Sequence, residues 1–183
     1  MLLLSMIDIN YREMNSVCRK FIDKNKHHKK IYLKTKDEHT LSLDVTGRNW
    51  YIDVNSGDFP SGEVYIAPLE SSAHDTFVAD LVYWNGNHYK DVKLTFVQGV
   101  LVDTKPSIIF EDLSALQVEA RTIAEFGIGF NPAKVKPTGY SLFDEKLSGT
   151  CHIAVGMNDQ FGGKNQSSVH IDFVSTTTRV KFG

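Results

Sequence analysis

His170 and Asp172 stand two positions apart in the run SSVHIDFV. In an extended strand, residues i and i+2 share a face. The imidazole and the carboxylate therefore point the same way, while Val169, Ile171 and Phe173 turn to the other side. Such a pair binds a divalent cation or bonds to itself, and alone it does not say which. Three more residues have this character: His152 in GTCHIAVG, Glu125 in AEFGIGFNP and Glu63 in SGEVYIAP, each a polar group among Gly, Ala and β-branched neighbours. Each has a plain alternative. His152 can be a core histidine bonded to a backbone carbonyl. Glu63 can be an exposed strand-edge carboxylate. Glu125 is expected at the end of a helix, where the dipole disfavours a carboxylate and burial demands a cation, which a metal or Arg121 can supply. Taken together, two imidazoles and three carboxylates suit a pair of Zn²⁺, Mn²⁺ or Co²⁺ ions better than one structural zinc, which favours Cys. Two such ions share a water, lower its pKa and polarise a carbonyl. The Gly-rich stretches EFGIG and GMNDQFGGKN beside them allow a substrate backbone to approach closely.

The elements that must position these groups are mostly strands. Asp8 to Lys26 reads as an amphipathic helix, with Met14, Val17, Cys18, Phe21 and Ile22 at spacings of three and four. IYLKTK and TLSLDVTGRNWYIDV then alternate, and Leu41, Leu43 and Val45 mark a strand buried on one face. Residues Gly57 to Gly62 read as a loop. The runs EVYIAPL, TFVADLVYW and KDVKLTFVQGVLVD are β, with hairpin turns at Asn85-Gly86 and Gln98-Gly99. Glu111 to Ala124 is expected to be helical, with Leu113, Leu116, Ala120, Ile123 and Ala124 near one face. SLFDEKL, CHIAVG, SVHIDFV and TRVKFG are expected as strands. The implied fold class is α+β: a mainly antiparallel β body with an N-terminal helix and a central helix.

At 183 residues and 42% apolar composition, the chain suits one domain with a real core. A net charge of −2 gives no global reason to expect nucleic acid or a membrane surface as partner. The basic run KNKHHKK (Lys24–Lys30) reads as a solvated helix end. Cys18 and Cys151 lie far apart in unrelated sequence, which points to a reducing cytoplasm as the location. Cys151 precedes His152 on a predicted strand, so the two diverge, and Cys151 reads as a small buried hydrophobe. MLLLSM lacks a basic flank and a cleavage-type site, so no signal peptide is expected. No apolar run approaches the roughly 20 residues that span a bilayer.

Four segments, FPSGEVYIAPLE, AEFGIGFNP, LFDEKLSGTCHIAVG and GGKNQSSVHIDFV, together resemble the C-terminal part of the aminopeptidase T family, in order and spacing, from about Lys34 onward. The resemblance implies a two-metal exopeptidase acting on peptides, usually a homodimer, with two divalent ions (Zn, Co or Mn). By motif position the metal ligands are Glu63, Glu125, His152, His170 and Asp172, with Glu125 also helping to activate the water. It further implies residues 1–30 as a connecting helix and 31–183 as the metal-binding catalytic domain, the family's N-terminal domain being absent. A Tyr-Pro that follows the first ligand His in many members has no counterpart in GMNDQFGGKN. Two other readings stand beside this one. His152, His170 and Asp172 make a 2-His-1-carboxylate set for non-haem Fe(II), as in a pyridine-ring-cleaving dioxygenase of related architecture, and Glu63 and Glu125 argue for the hydrolase. The third is a non-catalytic metal-binding portion that acts only with the absent domain.

Overall fold

Apolar residues at every second position build two sheets that close over one core. A computed structural model of the chain describes residues 2–54 and 59–183. Helices α1 (Leu2–Ile7) and α2 (Tyr11–Asn25) lead into β1 (Lys30–Lys34), β2 (Thr40–Asp44), β3 (Trp50–Asp53) and β4 (Glu63–Ile66). A meander of β5 (His74–Trp84), β6 (Asn87–Val97) and β7 (Val100–Lys105) follows, then α3 (Ile108–Ser114) and β8 (Ile123–Gly129). The last third holds α4 (Ser141–Asp144), β9 (Cys151–Gly156), β10 (His170–Ser175) and β11 (Arg179–Phe182). The six-stranded sheet runs β11-β1-β2-β5-β6-β7 and the five-stranded sheet β10-β9-β8-β4-β3. Every pairing within them is antiparallel.

Two expected turns form as read. Asn85 and Gly86 have φ of 46° and 81°, and Gln98 and Gly99 have 50° and 82°, the left-handed pair that a two-residue hairpin turn requires. Leu33, Leu43, Phe77 and Phe96 of the larger sheet face Phe126, Ile153 and Phe173 of the smaller one in a single buried cluster. Next to it, α2 buries Met14 and Cys18 against Val64, with Phe21 and Ile22 at the margin. Val17, expected on that stripe, is 44% exposed. The helix starts three residues later than expected, because the side chain of Asn10 accepts a hydrogen bond from the Glu13 amide at 3.1 Å and caps it.

The central helix is shorter than its pattern implied. It covers Ile108–Ser114, a 3₁₀ turn follows at Val118–Arg121, and Ile123 already begins a strand. The reason is burial on both faces: all but one of the β8 residues are buried. A short apolar run of that kind suits an interior strand as well as a helix, and periodicity does not separate the two. SLFDEKL is likewise no strand. Its first four residues form α4, because the Asp144 carboxylate accepts the amides of Thr138 and Gly139 and closes a turn. Of the expected loop, Gly57 and Asp58 lie outside the described residues, and Phe59 to Gly62 belong to no helix or strand. Among the described residues no helix is long and apolar enough to cross a membrane.

Candidate metal centre

The inner face of the five-stranded sheet is apolar, and its outer face carries the chemistry. On β9, Cys151, Ile153 and Val155 join the core, so His152 points outward. Cys151 is buried, and burial pushes its thiol up to about 12. On β10, Phe173 and Ile171 turn to the core, which leaves His170 and Asp172 on the outer face. Glu63 opens β4, an interior strand paired with both β3 and β8. Glu125 lies on β8 beside a register shift between Ile123 and Glu125, a bulge that re-aims the side chain. The neighbours are small where room is needed. Gly127 sits opposite both Tyr65 and His152, and Ala154 opposite both Glu125 and Asp172. A Cβ at Gly127 would lie 2.2 Å from Cε1 and Nε2 of His152.

All five predicted residues come together. His152 Nε2 lies 3.0 Å from Glu125 Oε1 and 3.4 Å from Glu63 Oε2. His170 Nε2 lies 3.8 Å from Glu125 Oε2 and 3.6 Å from Asp172 Oδ1. His170 Nδ1 is 2.7 Å from the carbonyl oxygen of Met157, an N–H···O=C bond that turns Nε2 toward the carboxylates. The plain alternatives do not describe these residues. His152 is buried against Glu125 and not bonded to a carbonyl, and Glu63 is 6% exposed rather than at an edge. Arg121 donates to the carbonyl of Leu101 and stands over the ring of Phe110.

The structure adds three charged residues that sequence reasoning missed. Lys146 donates to Glu63 Oε1 in a short contact, and its Nζ lies 3.1 Å from Glu145 Oε1 and 3.3 Å from Asp53 Oδ2. All four side chains are buried. The available signals were weak: Asp53 continues the alternation of WYID, and Glu145-Lys146 lie between Phe143 and Leu147 in a run read as a strand. Burial and neighbouring charge compete across this cluster. Burial pushes the Glu63 carboxyl up to about 7 against the pull of His152 and Lys146. It raises Glu145 well above the usual range, with Asp172 and Glu63 adding to the effect. Burial also works against the Lys146 ammonium, but Glu63, Glu145 and Asp53 outweigh it and hold the proton on. The same contest raises His170 to about 9, through Asp172 and Glu125.

Three groups of side chains converge so that one ligand atom from each member lies within 4.8 Å of the others: Glu63-Glu125-His152, Glu125-His170-Asp172 and Glu145-His152-Asp172. Glu125 is common to the first two, with Oε1 toward one imidazole and Oε2 toward the other. Glu63 Oε2, Glu145 Oε2 and Asp172 Oδ1 are buried without a hydrogen-bond partner, an arrangement that costs free energy unless a cation or donor fills the space. The single positive charge of Lys146 stands against five carboxylates, Asp53, Glu63, Glu125, Glu145 and Asp172, an excess of negative charge that divalent cations would offset. The donors are nitrogen and oxygen only, which suits Zn²⁺, Mn²⁺ or Co²⁺. The residues present therefore fit divalent metal.

Over residues 11–181 the chain matches the sequence model of a family described as thermophilic metalloprotease (M29). No curated protein sequence matches it. Solved structures share its fold, among them the following two. Wild-type AmpT from Thermus thermophilus aligns with a TM-score of 0.70 at 18% identity, covering 93% of this chain and 51% of that one. The 2,5-dihydroxypyridine dioxygenase from Pseudomonas putida KT2440 aligns with a TM-score of 0.76 at 14% identity, covering 98% of this chain and 58% of that one. The chain thus spans a little over half the length of each.

Proposed function

The chain belongs to the thermophilic metalloprotease (M29) family, and on that premise we propose that it is the catalytic portion of an aminopeptidase using two divalent ions (Zn, Co or Mn). The carrying observation is Glu125, whose two oxygens face two separate imidazole-carboxylate groups. Glu63, Glu125 and His152 would hold one ion, and Glu125, His170 and Asp172 the other. Such a pair of ions lowers the pKa of a water and polarises a peptide carbonyl.

The chain's own residues do the rest. Met157 fixes the His170 tautomer through Nδ1. Glu125, in contact with both groups, is the carboxylate assigned to accept the proton of the attacking water. The cleft measures about 510 Å³ and is lined by Glu63, Glu145, Asp172, Tyr65, Met157 and Phe161, among others. The exopeptidase reading rests on the resemblance of the four ligand-bearing segments to the aminopeptidase T family. The same reading assigns residues 1–30 as the connecting segment, 31–183 as the metal-binding domain, and a cytoplasmic homodimer as the setting.

A ring-cleaving dioxygenase site needs His152, His170 and Asp172 on one iron. Among the described residues, each converging group has one imidazole and at least one glutamate, which supports the hydrolase. The test is hydrolysis of a short peptide by the protein loaded with Zn²⁺, Mn²⁺ or Co²⁺. The expected result is release of the N-terminal amino acid, abolished by chelator and by N-acetylation of the peptide. Oxygen consumption on a dihydroxypyridine with Fe(II), without peptide cleavage, would replace this reading with the oxygenase.

A further inference from the structure

Lys146 has no role in the reading above, yet it is 3% exposed and bonded wholly within the acidic cluster. Its backbone is held in place: the carbonyl accepts the Asn131 amide at 2.8 Å, and the carbonyls of Glu145 and Leu147 on either side accept Thr150 Oγ1. Its ammonium faces Glu63, Glu145 and Asp53, a nest of carboxylate oxygens of the kind that receives a hard cation. Glu63 is divided as a result. Oε1 is taken by the ammonium, and Oε2 lies toward His152 with no hydrogen-bond partner.

We infer that Lys146 is a built-in competitor cation, a positioning residue that leaves Glu63 one oxygen for metal, holds the carboxylates together without ions and restrains ion affinity. The inference rests on the metallopeptidase reading for the identity of the ions. Two physical effects give it a direction. A fixed positive charge beside an ion repels it strongly in a buried site. A carboxylate with one oxygen already taken offers a weaker bond than one free to use both. Both effects make removal of the ammonium tighten metal binding. A lysine that only supports the fold would, when removed, loosen the site and weaken binding.

The experiment is calorimetric titration of Mn²⁺ and Zn²⁺ into the metal-free chain and into Lys146→Met and Lys146→Arg, with melting curves for each in chelator and in excess ion. Lys146→Met is expected to bind about tenfold or more tightly, to melt lower than the parent in chelator, and to regain most of that loss with ion. Lys146→Arg keeps the charge and is expected to stay near the parent in affinity. Equal or weaker binding by Lys146→Met overturns the inference, as does failure of that variant to fold even with ions. If the parent binds no ion and Lys146→Met does, the competitor role stands and the metallopeptidase reading falls. If neither binds, both fall.

Discussion

At the scale of single residues, the account depends most on Glu125. Glu125→Gln keeps the size and removes the charge shared by the two imidazole groups. It is expected to lower peptide cleavage by roughly 100-fold or more, in the range seen for loss of an acid–base group, and to reduce the ions bound per chain. Retained ion content with lost turnover would reduce its role to proton transfer. Gly127 is the second test. Its φ is ordinary, so only space is at issue, and a Cβ there meets the His152 ring at 2.2 Å. Gly127→Ala must displace the imidazole, at a cost of about 1–3 kcal/mol in stability for overpacking, and weaken ion binding with it. Melting curves and titration read both effects. An unchanged affinity would show that His152 is not a ligand.

At the scale of elements, the site depends on the segment joining β9 to β10, which brings Met157, Gln160 and Phe161 over the cleft. The Phe161 ring stands edge-on to Tyr65 and to His170, with centroids 5.4 and 5.8 Å away. Arg48 and Glu70 clamp this segment. Arg48 pairs with Glu70 at 2.6 Å and donates to the carbonyl of Gly162, and Glu70 accepts the Lys164 amide at 2.6 Å. Arg48→Ala leaves the metal-facing residues untouched. It is expected to raise KM several-fold with unchanged ion content, and to cost about 1–3 kcal/mol in stability. A loss of ions instead would tie the clamp to the centre itself. The strands that carry four of the five site residues were legible as short β-branched runs bounded by Gly, Pro and Ser. The two-residue spacing of His170 and Asp172 and the divergence of Cys151 from His152 follow from strand geometry alone. Glu125 was read onto a helix end because β8 is buried on both faces and carries no alternation. Lys146, Glu145 and Asp53 were invisible for another reason. Charged residues are normally solvated, and these three are buried only through the β3–β4 register and the bridge between Asn131 and Leu147, which bring distant segments together.

At the scale of the whole molecule, a sheet face crowded with carboxylates opposes folding unless protons or ions neutralise it. Folding raises the Glu63 carboxyl to about 7 through burial, so the folded chain holds a proton that the unfolded chain has released. Stability from that proton is present in acid and is lost as pH rises through about 7. His170, raised to about 9, contributes stability that is complete below its ordinary value and is lost as pH rises through about 9. The two losses run in the same direction. Ions bind the deprotonated groups, so their stabilisation grows over the same window. The metal-free chain is therefore expected to melt lower at pH 9 than at about pH 6, while the rise in melting temperature on adding excess Mn²⁺ increases. A metal-free chain that gains stability over that range would contradict the proton assignments. Whether two ions share Glu125 is decided by a crystal structure of the ion-loaded protein with anomalous scattering from Mn²⁺ or Zn²⁺. Two peaks about 3.5–4 Å apart are expected, one beside Glu63 and His152, the other beside His170 and Asp172, with Glu125 reaching both. A single peak held by His152, His170 and Asp172 together, or no peak at all, would contradict a two-ion centre.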